Sequence, residues 1–259
     1  MAFKPNALLL LALILSLQHI RCDDKQDRKK EGKEEKELKD RLGALEFQVG
    51  QLLGGNLAQA RRSCSDWLRD GFTLNGHYLV DPDGLRGVSE FLVWCDMSKT
   101  PPVAVIHHDK EDRMRIDGFE GKGEYKMDIV YATSSQHISA LMERSGPCRQ
   151  RLRYECQGSI IYSETSRTDP YSWWEGNGKE IKTYWPGGNP HMGGCECYKT
   201  KSCAGGNKCN CNRNDPALRE DSGDVTDKEL LPITGLRIGD TGDRNEHSFV
   251  TLGPLLCEN

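Results

Sequence analysis

Cys64, then Gly71-Phe72-Thr73-Leu74-Asn75-Gly76-His77-Tyr78-Leu79-Val80-Asp81-Pro82-Asp83-Gly84, then Phe91-Leu92-Val93-Trp94-Cys95-Asp96-Met97 is the most informative stretch of this 259-residue chain. Tyr78-Leu79-Val80 and Phe91 to Trp94 are short runs of aromatic, aliphatic and β-branched residues, and each predicts a strand. Val103-Ala104-Val105-Ile106 predicts a third. Asp81-Pro82-Asp83-Gly84 predicts a turn, because proline sets one backbone dihedral and glycine permits a positive one. Ser134 to Arg144 predicts a helix with Ile138, Leu141 and Met142 on one face. The last third is dense in glycine and cysteine and predicts irregular loops. Together these signals describe an α+β domain, loop-rich and stapled, running 194 residues from Cys64 to Cys257. That length supports one domain with its own core.

Upstream the character changes. Residues 1–22 carry Lys4, the apolar run Ala7 to Leu15 and then polar sequence, which is the layout of a secretory signal peptide. The run is far short of the roughly 20 apolar residues that a membrane-spanning helix needs, which disfavours an uncleaved anchor. Cleavage after Cys22 is expected, although Ile20 departs from the usual small residue. Residues 23–37 are almost wholly charged and are expected to be disordered. Residues 38–62 are expected to form a helical stalk. Leu38, Leu42, Leu45, Val49, Leu52 and Asn56 follow the alternating spacing of a coiled-coil seam, so 38–56 is a candidate for homo-oligomer formation. Gly43, Gly50, Gly54 and Gly55 oppose it, and a single amphipathic helix is the competing reading.

The cysteine count agrees with export. The chain has eleven cysteines, and removal of Cys22 leaves ten, enough for five bridges without a spare thiol. All ten lie between Cys64 and Cys257, as expected of a disulfide framework formed in an oxidising compartment. No later segment reaches membrane-spanning length, so the mature chain is expected to be secreted and extracellular. Without the leader, 33 basic residues stand against 39 acidic ones, a net charge near −6. That balance opposes nucleic-acid binding, which needs a basic footprint. Ordinary N-glycosylation is not expected, because no Asn-x-Ser/Thr sequon occurs.

The opening stretch resembles the start of fibrinogen C-terminal-like domains, where a cysteine precedes a Gly-x-Tyr strand and a Pro-x-Gly turn, and Cys-Asp-Met follows. The resemblance implies a Cys64–Cys95 bridge. Fibrinogen's Gly-Gly-Trp-Thr run is replaced here by Ser98-Lys99-Thr100-Pro101-Pro102. The remainder is similar to the divergent branch found in contactin-associated proteins. The matching pieces are Cys148 with Tyr154-Glu155-Cys156, then Trp185-Pro186-Gly187-Gly188, then the cluster Cys195, Cys197, Cys203, Cys209 and Cys211. Leu231-Pro232-Ile233, Gly239-Asp240-Thr241 and the closing Leu252 to Cys257 complete the ordered set. In such families, stand-alone secreted members occur in extracellular matrices, including skeletal matrix. Cys148 and Cys156 read as a local bridge, which leaves Cys195, Cys197, Cys203, Cys209, Cys211 and Cys257 with fifteen alternative pairings.

Zinc on the two Cys-x-Cys pairs is disfavoured, since their spacing is unusual for zinc and the compartment favours bridges. Calcium is a candidate ligand at Asp215 and Asp221, near Asp224 and Asp227, with a solvated acidic loop as the competing reading. Tyr171, Trp173, Trp174, Tyr184 and Trp185 are candidate binding aromatics, although core packing is the favoured role for them. The histidines stand in no recognised spacing with a nucleophile or metal partner, so no enzyme is expected. The functional expectation is an extracellular binding or scaffolding protein of a matrix, with extracellular proteins or glycans as partners. A lectin-like factor of innate defence that binds acetylated glycans is the alternative.

Overall fold

The computed structural model describes residues 59–85, 87–163 and 169–259. The signal segment 1–22, the charged segment 23–37 and the stalk up to residue 58 lie outside the described residues. The chain enters the domain slightly before Cys64. Arg61 forms a parallel bridge with Val80, its N–H donating to the Leu79 carbonyl at 3.3 Å and its carbonyl accepting from Asp81 N–H at 2.8 Å.

Helix α1 (Cys64–Arg69) starts where Ser63 Oγ accepts from the Asp66 N–H at 3.1 Å, a side-chain N-cap. It buries Trp67, whose indole N–H donates to the Leu79 carbonyl at 2.8 Å and whose ring meets Phe72 edge-on at 4.9 Å. Strands β1 (Gly76–Val80), β2 (Phe91–Asp96) and β3 (Val103–Ile106) lie where the sequence predicts them and pair antiparallel in that order. The predicted turn between β1 and β2 is closed by the Asp81 side chain, with Gly84 N–H donating to Asp81 Oδ1 at 2.8 Å and Gly84 at φ +78°. Helix α2 (Ser135–Arg144) also matches its prediction; Ser134 caps it, and Ile138, Leu141 and Met142 are buried with Ala140.

The rest is more strand-rich than an irregular stapled domain. Strands β4 (Met114–Ile116), β5 (Tyr125–Asp128), β6 (Cys148–Gln157), β7 (Trp173–Gly176) and β8 (Lys179–Ile181) come first. Strands β9 (Arg219–Val225), β10 (Ile233–Ile238), β11 (His247–Leu252) and β12 (Leu255–Glu258) then fill the region expected to be loops. Between β8 and β9 sits a one-turn helix, α3 (Glu196–Lys199). The domain is therefore mostly β, with few helices, rather than evenly α+β.

Strand β6 organises the larger sheet, of eight strands. One of its edges pairs with β9 from Gln150 to Cys156. Its other edge pairs with β12 at Cys148 and Arg149, and with β11 from Leu152 to Gln157. β11 and β12 are thus one interrupted strand, broken at Gly253-Pro254, where Gly253 N–H still donates to the Arg151 carbonyl at 2.9 Å. A smaller sheet runs β5-β10-β7-β8. One continuous core joins the two sheets, with Trp174 and Leu236 from the smaller one and Leu152, Tyr154 and Val250 from the larger.

β6 also corrects one disulfide. Cys148 and Cys156 do not form the local bridge read from the sequence. Both point inward along one extended strand, and eight residues at about 3.3 Å each separate them by roughly 26 Å. Each pairs across the fold instead: Cys148–Cys257 and Cys156–Cys211. Cys195–Cys209 and Cys197–Cys203 close the cluster, and Cys64–Cys95 forms as the family resemblance implies. All ten cysteines from 64 to 257 are bridged.

A close backbone approach fixes where the cluster sits. Gly223 of β9 lies against Pro186 and Gly187, and a Cβ placed there would overlap the Pro186 carbonyl oxygen. We expect Gly223→Ala to cost about 2–3 kcal/mol, because backbone rather than a mobile side chain would have to yield. A urea unfolding midpoint matching that of the parent would show that the contact is loose. Among the described residues, no helix is long and apolar enough to cross a membrane.

Candidate functional site

The segment after Trp185 has little apolar content, and covalent bridges hold it in place of a core. Cys195–Cys209 and Cys197–Cys203 close loops of 14 and 6 residues' separation, and Cys156–Cys211 ties that segment to β6. The segment packs against β9 and leaves a cavity of about 360 Å³. Carboxylates of Glu196, Glu220 and Asp221 line it, with the hydroxyls of Thr200, Ser202 and Ser222.

Asp221 forms the buried base of this cavity, only 3% exposed. Its Oδ1 accepts from Asn210 N–H at 2.9 Å and its Oδ2 from Cys211 N–H at 2.8 Å, so it tethers the bridged segment to β9. Burial pushes its pKa up to about 6, against those two hydrogen bonds, and the charge of Glu220 adds to the rise. Glu220 itself pairs with Arg153 at 2.8 Å, and Arg151 donates to Ser222 Oγ at 3.0 Å. Glu196 is exposed and makes no ion pair among the described residues.

The raised pKa has a signed consequence. Unfolded, an aspartate titrates near 3.9, so above pH 6 the fold holds a carboxylate that it disfavours. Acidification from pH 7 to about 4 relieves this, on the order of 2–3 kcal/mol from this group alone. Other carboxylates shift both ways, so the comparison is with Asp221→Asn. Relative to that variant, the parent should gain stability as the pH falls across this window, read by urea unfolding at each pH. Parallel profiles would contradict the assignment.

The two calcium candidates lie in different settings. Asp215 is engaged by Arg219, whose Nε donates to Oδ1 at 2.8 Å, and this guanidinium holds its carboxyl below the usual range. Asp221 faces backbone N–H groups. The two do not join a common group of converging ligand atoms among the described residues. Asp221 does lie close to Cys195 and Cys209, but those sulfurs are bonded to each other.

A different acidic group assembles from two loops, one between β4 and β5 and one between β10 and β11. Ligand oxygens of Glu120, Asp240 and Glu246 lie within 4.8 Å of one another. Asp240 sits at φ +58° and its Oδ2 accepts from Ile160 N–H at 2.7 Å. Burial pushes Asp240 and Glu246 up, and their acidic neighbours add to it. Oxygen ligands of this kind suit a hard divalent cation. The sequence offers no local signal for the group, since Glu120 lies 120 residues before Asp240; Asp240 stood out only within Gly239-Asp240-Thr241.

The five aromatic candidates divide between the core and the surface, and within β7 strand alternation separates Trp173 from Trp174. Trp174 and Trp185 are wholly buried and Tyr184 nearly so; Trp174 N–H donates to the Tyr184 carbonyl at 2.8 Å, and Trp185 meets Tyr154 at 5.3 Å. They fill the core, the role favoured from the sequence. Tyr171 and Trp173 point the other way and are partly exposed. Lys182 lies 4.3 Å over the Trp173 ring, whose N–H donates to Glu180 at 3.1 Å.

No family model matches the chain. It is similar to Neurexin-4 of Drosophila melanogaster, 35% identical over 186 residues, which are 69% of this chain and 14% of that protein. It is also similar to Contactin-associated protein 1 of Mus musculus and of Homo sapiens, 32% identical over 199 residues in each, which are 76% of the chain. The chain spans about 14% of the length of these relatives. Over more than two thirds of its residues, this chain is therefore homologous to one segment of Neurexin-4 and of Contactin-associated protein 1.

Proposed function

We propose that the chain is a secreted binding and scaffolding protein of the extracellular matrix, whose single divergent fibrinogen-like domain recognises another protein and catalyses nothing. The observation that carries this reading is the set of five disulfides that bridge all ten cysteines of the domain. Such a framework forms and persists in oxidising compartments and is rare where thiols are kept reduced. The relatives add support of a second kind. Contactin-associated protein 1 is named for association with a partner, and it shares this segment. The candidate site agrees, since a preformed polar cavity on a rigid, cross-linked scaffold suits recognition.

The test is export of the full chain from a eukaryotic secretory host, with peptide mapping of the medium under non-reducing conditions. The expected result is an N-terminus after Cys22 and five bridges with no free thiol. Retention inside the cell, or free thiols among Cys195, Cys197, Cys203, Cys209 and Cys211, would overturn it. Incubation of the exported protein with isolated extracellular matrix then addresses the matrix role, where recovery wholly in the wash would count against it.

A further inference from the structure

We propose that the outer face of the larger sheet, across β1, β2, β3 and β12, docks an amphipathic segment of another protein, which presents an aliphatic side chain between an acidic and a basic residue. This deepens the binding reading above and rests on it for the partner's being a protein.

The sheet supplies its own contrast. On the half built from β9, β6, β11 and β4, the outward positions carry ion pairs, as a face turned to water should. Arg151 pairs with Asp224 at 3.6 Å and Arg153 with Glu220 at 2.8 Å, and Phe249 there lies under the Arg113 guanidinium at 3.4 Å. On the other half the same face turns apolar. Leu79 stands opposite Leu92, while Trp94, Val105 and Leu256 stand opposite one another on successive strands, with Val103 beside them. Leu92 is 39% exposed and the other five are half-buried, although all six point away from the core. Both neighbouring helices lie against the opposite face. His137 of α2 stacks on Phe91 at 4.3 Å, and Trp67 of α1 meets Tyr78 at 5.4 Å, both on the inward positions of β2 and β1. A contiguous apolar patch of this kind on an otherwise polar face marks an interaction surface.

A cavity and two charges say what covers it. At the β6 end of the patch, Val103, Leu256 and Pro147 line a cavity of about 180 Å³, a pocket for one aliphatic anchor. Arg149 and Glu258 line it too, and neither side chain makes an ion pair or hydrogen bond among the described residues. Arg149 stands opposite Leu256, so the guanidinium and the carboxylate flank the anchor pocket. An occupant that satisfies both brings a carboxylate and a cation of its own.

The same charges disfavour the other occupants. An anionic membrane surface would meet Glu258 and Asp96, which both share this face with Val103. In a pair of copies related by a two-fold axis along β3, Glu258 of one copy would face Asp96 of the other, because the two flank Val103 on either side.

The experiment uses the full oxidised chain, labelled with nitrogen-15, and follows amide resonances of residues 92–96, 103–105 and 255–258 by NMR. The probe is a synthetic amphipathic helical peptide with leucine along one side, glutamate on one edge of that side and lysine on the other. Two controls carry lysine on both edges or glutamate on both. The mixed-charge peptide is expected to give saturable shifts and to bind about fivefold tighter than either control. Leu92→Lys changes an exposed side chain and should leave the fold intact, yet weaken binding about tenfold. Arg149→Glu should turn the preference toward the lysine-only peptide. No saturable shift, equal binding of the three peptides, or unchanged affinity in Leu92→Lys would each overturn the proposal. So would a dimer in sedimentation that Leu92→Lys abolishes, which would assign the face to a second copy. Phosphatidylserine vesicles that broaden the same amides would overturn it in favour of a membrane. Export and bridge mapping do not involve this face, so failure here leaves the broader reading standing, and the reverse also holds.

Discussion

Cys148→Ala/Cys257→Ala should unfold about 4 kcal/mol more easily than the parent in urea. The two cysteines sit directly opposite in the β6–β12 register, with Cα atoms 4.1 Å apart, and their separation of 109 residues makes this the longest loop in the chain. On loop entropy alone a bridge over about 100 residues contributes roughly 4.7 kcal/mol. The effective loop is shorter here, because Cys156–Cys211 lies inside it and short-circuits 55 of those residues. Halving a loop removes only about 0.6 kcal/mol, so the expectation stays near 4. Cys197→Ala/Cys203→Ala is the internal comparison. Its loop spans a separation of 6, and its loss should be nearer 2 kcal/mol. If the short bridge proves the more stabilising, strand register rather than chain entropy dominates.

Trp185→Ala should be nearly as damaging, at about 4 kcal/mol, from a lost aromatic side chain and the cavity left behind. The residue is wholly buried, meets Tyr154 at 5.3 Å and begins the turn whose Gly188 N–H donates back to the Trp185 carbonyl at 2.8 Å. Its indole N–H has no hydrogen-bond partner among the described residues. Trp185→Phe should therefore be tolerated far better, with a loss of about 1–2 kcal/mol, since no hydrogen bond goes with the ring. Trp174→Phe should fare worse than Trp185→Phe, because Trp174 N–H holds the Tyr184 carbonyl. Trp173→Ala, on the partly exposed face, should be the mildest. Thermal or urea unfolding of the four variants gives the order, and an equal loss for Trp173→Ala and Trp185→Ala would show that Trp185 is not the core residue its burial makes it.

The first part of the domain was legible because its signals are local. The turn at Asp81 to Gly84 and the cap at Ser134 act over three or four residues, and β1 to β3 carry ordinary strand formers. β6 and β9 were not legible. In β6 the inward positions are Cys148, Gln150, Leu152, Tyr154 and Cys156, alternating with Arg149, Arg151 and Arg153. The period of two is present, but charges and cysteines mask it. β9 reads Arg-Glu-Asp-Ser-Gly-Asp-Val, and its inward Asp221 and Gly223 are a tether and a close approach rather than core. A strand of that composition is recognisable only beside the partner that needs it.

The candidate site divides the same way. Its cysteines were legible as a bridged set, whereas its carboxylates were not. Asp221 was singled out as a calcium ligand, and the fold makes it the base of a cavity and a backbone acceptor. Glu196 and Glu220 gave no sequence signal, because an isolated glutamate is ordinarily a solvated surface residue.

By itself, then, the sequence determined how many bridges the domain could form, and that a framework of ten cysteines had to support its polar loops. Only the tertiary structure decided which cysteines meet, which tryptophans are core, and which acids share a space. The reason is range. Backbone propensities and turns act between near neighbours, but Cys148 finds Cys257, and Gly223 finds Pro186, only once β6 has gathered β9, β11 and β12 along its two edges.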